Sequence, residues 1–382
     1  METERIGITW QLSDRHGWGV FGTNLALELV RNGPCPPQLF HTPQFIEPLA
    51  TRDRRLAPFV AGQPAAIPES ADLATTTLLH SLGNHFVSGA LARQVRGRRN
   101  IGFIFFEQFE MTADNLQRAG QWDRILAGSS WNRDVCHQAG LRDVRFVSQG
   151  VDIEQFCPAP GRGVPSSRFV IYSGGKLEYR KGQDLVIAAF KVFHDRHPDS
   201  LLVTAWHNPW GETALAMAQS AHLTHGPVLD VDNNVMIAKW AQQNGIPPDS
   251  FIDLGWVANS RMPAILREVD VAVFPSRCEG GTNLAAMEAM ATGTACILSA
   301  NTGHLDLISD DNCYPLGRQQ VDAVVPEFWR ESDVEEIIEY LERAYLDRQD
   351  RKRRATRGAK FMAQRSWHTQ VRQLVGEIND LL

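Results

Sequence analysis

Residues 271–298 read VAVFPSRCEGGTNLAAMEAMATGTACIL. Val271, Ala272, Val273 and Phe274 form a short apolar run of strand formers, ended by Pro275. From Leu284 onward, Leu284, Met287 and Ala291 fall at helical spacing among good helix formers. The spacing predicts a strand over 271–274, a helix over 284–292 and a further strand over 295–298. In the loop between strand and helix, Gly280 and Gly281 permit close backbone approach or positive φ, and Thr282 or Asn283 can cap. A helix N-terminus placed there offers unpaired N–H groups and a positive dipole end to an anion such as phosphate. Glu279 lies before that terminus and Glu288 within the helix, so both carboxylates can flank one ligand; Glu288 can accept hydrogen bonds from a vicinal diol such as ribose. A plain loop and buried helix with an acid at each end is the alternative, since short motifs also match by chance.

The same alternation extends outward. In the second half, strands are expected over 168–172, 201–205 and 251–254, and a helix over 183–194, where Leu185, Val186, Ala189, Phe190 and Phe193 share one face. In the first half the pattern reads strand 5–12, a glycine loop, helix 23–31, and strands 37–41, 75–79, 100–106, 124–127 and 144–147, with a helix over 132–139. The nearly continuous apolar run 100–106 is of the kind buried on both faces of a parallel sheet. The fold class expected is α/β: two Rossmann-like, doubly wound parallel-sheet domains facing across a cleft. The Pro-, Gly- and Ser-rich stretch CPAPGRGVPSS, 157–167, reads as their linker. The bounds expected are 1–160 and 168–350, with C-terminal helices over 351–382 packing back towards the N-terminal domain. Residues 207–250 form an insertion, with helices expected near 212–220 and 235–243 and no assigned role. The basic run RKRRATR, 351–357, reads as a solvated helix face, with a lipid-headgroup patch as the alternative.

A chain of 382 residues exceeds what one core usually serves, and its 43% hydrophobic and 21% charged content fits a globular protein. The formal net charge of −6 gives no general attraction to nucleic acid or acidic lipid. Six scattered cysteines without a CxxC pair argue against a zinc site or a disulfide framework. The N-terminus lacks the apolar core of a signal peptide, and no stretch approaches the roughly 20 apolar residues of a membrane span. A cytoplasmic protein is expected.

Two further loops carry chemistry. SGGKLEYRKG, 173–182, follows the first strand of the second half; its glycines give backbone access, and Lys176 and Lys181 supply charge for a leaving diphosphate. Exposed lysines beside a tight turn are the alternative. GWGVFG, 17–22, is literally GxGxxG, which raises a NAD-dependent oxidoreductase. However, the second strand ends Leu39-Phe40-His41-Thr42 without the acid that a dinucleotide site places there. His80 and His85 read as a structural turn or a site, and Asp230-Val231-Asp232, a literal DxD, as a surface turn; no metal is required.

The run P-S-x-x-E-G, helix, E-A-M-A-x-G-x and apolar strand resembles the signature of the family-four glycosyltransferases, retaining enzymes of GT-B fold. The resemblance covers residues 122–310: WDRILAGSSWNRDVCHQAG (122–140), Gln149-Gly150-Val151-Asp152 with Phe156 and Pro158, and FIDLGWV (251–257), which resembles the segment bordering the nucleotide base. The first 120 residues match only in their order of elements. The resemblance implies that Glu279 lies against the donor sugar and Glu288 at the ribose; eight residues separate them, one more than in the family, and the 280–283 loop takes the extra residue. It implies that Lys176 and Lys181 grip the diphosphate, Lys176 standing where the family has an arginine and so without the bidentate fork. Gly19 then belongs to a loop facing the donor phosphate, with His16 and Trp18 on the acceptor side. Glu107, where relatives often carry a histidine, faces the acceptor or donor sugar or supports them from behind.

The reaction implied is a metal-independent transfer, with retention, from a nucleotide diphosphate sugar (UDP- or GDP-linked) to a hydroxyl acceptor: a glycan, a lipid-linked acceptor or a small molecule. No cofactor is needed. The catalytic residues implied are Glu279, Lys181 and Glu107; the donor site adds Gly19, Lys176, Gly280, Gly281, Thr282, Asn283, Leu284 and Glu288. Polysaccharide biosynthesis at the inner face of the membrane is the common setting for such enzymes. A GT-B-like epimerase, a non-catalytic nucleotide-sugar binder, a modified-DNA acceptor, peripheral membrane contact and any oligomeric state stay open.

Overall fold

The computed structural model describes residues 5–14, 16–33, 36–45, 51–58, 71–110, 112–161, 168–321 and 326–382. The chain divides into two compact units: Met1–Gly150 with Gly280–Thr282 and Arg365–Leu382, and Val151–Glu279 with Asn283–Gln364. Cys35 and most of the expected linker lie outside the described residues.

The first unit is built on a six-stranded parallel sheet of β1 (Arg5–Ile8), β2 (Gln38–Leu39), β3 (Ala71–Leu82), β4 (Val95–Ile104), β5 (Arg124–Ala127) and β6 (Val144–Phe146), ordered β2-β1-β3-β4-β5-β6. β3 and β4 are each longer than expected, because their polar N-terminal halves hide the strand pattern. The helix after β1 spans Gly17–Asn32, so residues 17–22 are its first turns and not a glycine loop. The reason is packing: a Cβ on Gly19 would lie 2.5 Å from the Ser13 Cβ, and one on Gly22 would lie 2.5 Å from the Trp10 Nε1. Glycines there seat the helix on the chain leaving β1.

The closing helix, Trp367–Ile378, belongs to this unit. The Trp367 ring meets Phe21 at 5.8 Å, and Arg124, buried, pairs with Asp143 and Asp380 at 2.8 and 2.6 Å. The C-terminal segment expected over 351–382 is divided at 364/365 between the two units.

The second unit holds β7 (Phe169–Gly174), β8 (Ser200–Ala205), β9 (Phe251–Asp253), β10 (Val271–Phe274), β11 (Ala295–Ser299) and β12 (Tyr314–Leu316), all parallel in the order β12-β11-β10-β7-β8-β9. Its core is apolar: Val170, Tyr172, Phe274 and Leu298 pack with Met287 and Met290 of helix Leu284–Thr292. Helix Arg348–Met362 carries the basic run, with Lys352, Arg353, Thr356 and Arg357 on an exposed face and Arg354 buried. Arg351 pairs with Asp270 at 2.9 Å and Arg357 with Asp311 at 3.3 Å, while buried Arg354 pairs with Asp350 at 3.1 Å and donates to the Cys313 carbonyl. No helix among the described residues is long and apolar enough to cross a membrane.

Candidate functional site

Strand order marks the place. In the second unit β7 lies between β8 and β10, so the connections run outward in opposite directions from the β7/β10 boundary. Ligands of open α/β sheets bind beyond the strand C-termini at such a reversal. The two chains leaving that boundary are residues 175–182 after β7 and 275–279 after β10. Gly182 lets them touch: its φ is +69°, and a Cβ there would lie 2.2 Å from the Pro275 carbonyl oxygen.

Glu279 is the centre of what they enclose, and it is 4% exposed. Lys181 Nζ donates to both its carboxylate oxygens at 2.8 Å. Arg180 donates to Oε2 at 3.2 Å, Ser276 Oγ to Oε1 at 2.6 Å and Asn283 Nδ2 to Oε1 at 3.0 Å. Burial would raise the Glu279 carboxyl, but Lys181 and Arg180 outweigh it and hold the pKa at about 2. Burial lowers Lys181 from the usual lysine range, against the pull of Glu279. A carboxylate and two cations therefore share one desolvated place at the sheet reversal.

Asn283 closes the 280–283 loop. With φ +59° it caps helix Leu284–Thr292, its Oδ1 accepting from Ala286 N at 3.4 Å. Asparagine tolerates positive φ better than most side chains. Its amide N–H groups then face Glu279 and His304 Nε2, the latter at 3.1 Å. Nε2 accepts, so the His304 proton sits on Nδ1 and is donated to Ser299 Oγ at 2.9 Å. Burial pushes His304 down to about 4, and it is neutral. Leu284 is half-buried against the apolar core of this unit. Glu288, half-buried one turn further along the same helix, accepts from Asn259 Nδ2 at 2.6 Å. Lys176 pairs with Glu178 at 2.7 Å and lies beneath the Trp210 ring.

Behind these groups stands a buried strut invisible in the sequence. Arg277 makes two bonds to Asp184, at 2.9 and 2.7 Å, and two to Glu331, at 2.9 and 2.6 Å, with its guanidinium 3.7 Å from the Tyr179 ring centre. Its backbone N–H also donates to the Arg180 carbonyl at 2.7 Å. It ties the loop after β10 to the loop after β7 and so fixes Arg180 and Lys181. Of the cations, sequence reading weighed only the lysines; Ser276 stood in the P-S-x-x-E-G run without a role, and Arg180, Arg277 and His304 carried no local pattern that set them apart.

The remaining expected residues, the DxD apart, belong to the first unit. His16 Nδ1 accepts from Gly19 N at 3.1 Å and caps helix Gly17–Asn32. Trp18 is half-buried, its ring 4.8 Å from that of Phe105 and 5.4 Å from that of Trp10. Glu107 follows β4, and its backbone N–H donates to Asn84 Oδ1 at 2.9 Å. Gly280, Gly281 and Thr282 are buried in this unit, where Ser129 Oγ donates to the Gly280 carbonyl at 2.7 Å. A Cβ on Gly280 would lie 2.4 Å from the Phe105 carbonyl oxygen. His80 is fully buried between Thr9 and Asn100, at 3.2 Å from each, and is pushed down to about 4 by burial. His85 Nδ1 meets Asn115 Nδ2 at 3.2 Å from a φ of +59°. In the DxD, the Asp230 carboxylate accepts from the backbone of Asp232 and Asn234 at 2.9 and 2.8 Å, a local turn. Among the described residues no group of three or more His, Cys, Asp or Glu side chains is placed to hold a metal ion.

A family model described as "Glycosyl transferases group 1" matches residues 160–361. Curated relatives include the D-inositol 3-phosphate glycosyltransferase of Salinispora tropica, 26% identical over 51% of this chain and 40% of its own length. The glycogen synthase of Mycobacterium tuberculosis is 24% identical over 64% of this chain and 51% of its own. The matches span about half the length of those relatives or less. Solved structures that share the GT-B fold include Anabaena HepE in complex with UDP and glucose, with TM-score 0.63, 15% identity and 100% of both chains covered. Sucrose-phosphate synthase of Thermosynechococcus elongatus has TM-score 0.65 and 15% identity over 99% of both chains. The nicotinamide reading of Gly17–Gly22 gives way here: the family is a transferase family, and those glycines lie inside a helix.

Proposed function

The chain belongs to the glycosyl transferases of group 1, and on that premise we propose that it moves a sugar from a nucleotide diphosphate to a hydroxyl acceptor, retaining the anomeric configuration without a metal ion. The observation that carries this is the pairing of Lys181 and Arg180 with Glu279 at the β7/β10 reversal. Cations at that place supply the charge that a departing diphosphate develops. Lys176 and Lys181 take the diphosphate together with the 281–284 helix terminus, and the diphosphate takes the acceptor proton. Gly280, Gly281, Thr282 and Leu284 line the donor, and Glu288 holds the ribose.

Glu279 orients the donor sugar. Its two oxygens accept from four side chains, which saturates a carboxylate of about four acceptor sites. One bond must yield to a sugar hydroxyl. We assign that exchange to Lys181, whose charge the diphosphate then neutralises. In the first unit His16 and Trp18 serve the acceptor and Glu107 stands where relatives often place a histidine, while Gly19, buried against Ser13 with its N–H on His16, seats the helix. Glycans, lipid-linked acceptors and small molecules all present the hydroxyl that this chemistry needs, and the relatives' names point to small or polymeric carbohydrate acceptors.

The test is incubation of the full chain with UDP-, GDP- and ADP-sugars in the presence of EDTA, with glycerol, glucose and inositol phosphate offered as acceptors. We expect hydrolysis or transfer from one donor, an α-linked product from an α-linked donor by proton NMR, and loss of both in Lys181→Ala. An inverted product ends the retaining reading, and activity only with added metal ends the metal-free one. If no donor is bound or consumed and Lys181→Ala and Glu288→Ala change nothing, the whole proposal fails.

A further inference from the structure

The insertion between β8 and β9 begins against the loop of Lys176. Gly175 N donates to the Ala205 carbonyl at 3.1 Å and Leu177 N to the Trp206 carbonyl at 3.0 Å, so residues 175–177 run beside 205–206. Asn208, 6% exposed, continues the seam. Its Nδ2 donates to the Leu177 carbonyl at 3.0 Å and its Oδ1 accepts from Trp210 N at 2.9 Å. Thr213 closes the turn, donating from both N and Oγ1 to the Trp210 carbonyl at 2.9 Å. The backbone of Trp210 is therefore fixed to the residue next to Lys176 through one buried amide.

From that anchor the indole reaches over Lys176, whose Nζ lies 5.0 Å from the ring centre and 2.7 Å from Glu178. An ammonium on a flexible stem has no geometry of its own, whereas a guanidinium brings a planar fork. An aromatic face with a carboxylate beside it confines such an ammonium. We propose that Trp210 is a positioning residue for Lys176: the insertion supplies the geometry that lysine lacks, and directs its charge to the diphosphate of the donor. This rests on the reading of Lys176 as a diphosphate ligand. It gives the first turn of the insertion a task, and Glu178, shared with Arg180 at 2.9 Å, links that task to the Glu279 cluster.

The experiment is calorimetric titration of the full chain with UDP, GDP and ADP, the tightest of the three serving as probe. We expect Lys176→Ala to weaken it by roughly tenfold, the scale of one charge-assisted bond. Trp210→Leu, which keeps apolar bulk without a π-face, should weaken it about two- to fivefold, and Trp210→Phe should restore it. Trp210→Leu added to Lys176→Ala should cost nothing more, while added to Lys181→Ala it should cost its full factor. Thermal melting of each variant confirms that it is folded. If Trp210→Leu leaves affinity unchanged, or weakens the Lys176→Ala protein by its usual factor, Trp210 does not act through Lys176 and the inference is wrong while the diphosphate reading stands. If Lys176→Ala binds as the parent does, or no nucleotide binds at all, the reading of Lys176 falls and takes the inference with it.

Discussion

The two units repeat one architecture, a six-stranded parallel sheet with a reversal of strand order, and furnish that reversal in opposite ways. In the first unit the reversal lies between β1 and β3, and neutral and aromatic groups fill it. His80 bonds to Thr9 and Asn100, and Trp10 stacks on Phe21 at 5.8 Å. In the second unit the equivalent place holds Arg180, Lys181, Arg277, Asp184 and Glu279, all but Lys181 less than one-tenth exposed. Burying charge is costly unless it is paired and hydrogen-bonded. A fold that can close the same place with aromatics, as the first unit does, gains nothing in stability from charges. Strongly perturbed groups of this kind gather at functional sites, and the contrast supports the proposed diphosphate site in the second unit.

The severest way to break that contrast is to remove the strut. Arg277→Ala leaves Asp184 buried without its bidentate partner, and we expect a loss of about 3–5 kcal/mol. Urea unfolding followed by the fluorescence of Trp206 and Trp240, both in the second unit, reads it. A loss below about 1 kcal/mol would mean that these charges are not held as the geometry requires. Next in size, Lys181→Met should lower transfer by about a hundredfold to a thousandfold, the scale of one preorganised donor to developing charge. Steady-state rates at saturating donor measure it. A fall confined to KM would assign Lys181 to uniform binding instead.

How much of this was open to the sequence divides along the same line. Strand 271–274 and helix 284–292 were legible to the residue, because apolar periodicity and the flanking Pro275 and Gly293 are local signals. Helix Gly17–Asn32 was read as starting at 23 because glycine usually means a turn. Only the neighbours Ser13 and Trp10 show that these glycines serve close packing. The Arg277–Asp184 pair could not be read at all: its members stand 93 positions apart, and charged side chains are ordinarily exposed. Asn283 stood between, legible as a cap and hidden as a partner of Glu279.

A pH titration sharpens the comparison at one histidine in each unit. Burial lowers His80 and His304 from 6.5 to about 4. Between those values the unfolded chain takes up protons that the folded units refuse. Stability present above pH 6.5 is thus lost as the pH falls towards 4, by at most about 3 kcal/mol for each imidazole. His222 acts the other way: its bond to Glu331 raises it, so its contribution is present at lower pH and lost as the pH rises through its raised value. His304→Gln should flatten the acid slope of the second unit and leave that of the first. An unchanged slope in both would show that His304 is not the buried neutral partner of Asn283.

The smallest expected effect compares the caps of the two helices that follow these reversals. His16 satisfies one N–H, that of Gly19, so His16→Ala should cost about 1 kcal/mol or less. Asn283 satisfies Ala286 N and also donates to Glu279 and His304, from a backbone φ of +59°. Asn283→Ala therefore loses a cap, adds positive-φ strain and takes a donor from a buried carboxylate, so we expect about 2 kcal/mol or more. Asn283→Gly separates these contributions, because glycine accepts the φ but cannot donate. If the glycine variant keeps both stability and donor affinity, the extra residue of the loop is only a spacer. If it keeps stability and loses affinity, the lengthened loop earns its place by fixing Glu279, and the two caps differ in purpose as well as in size.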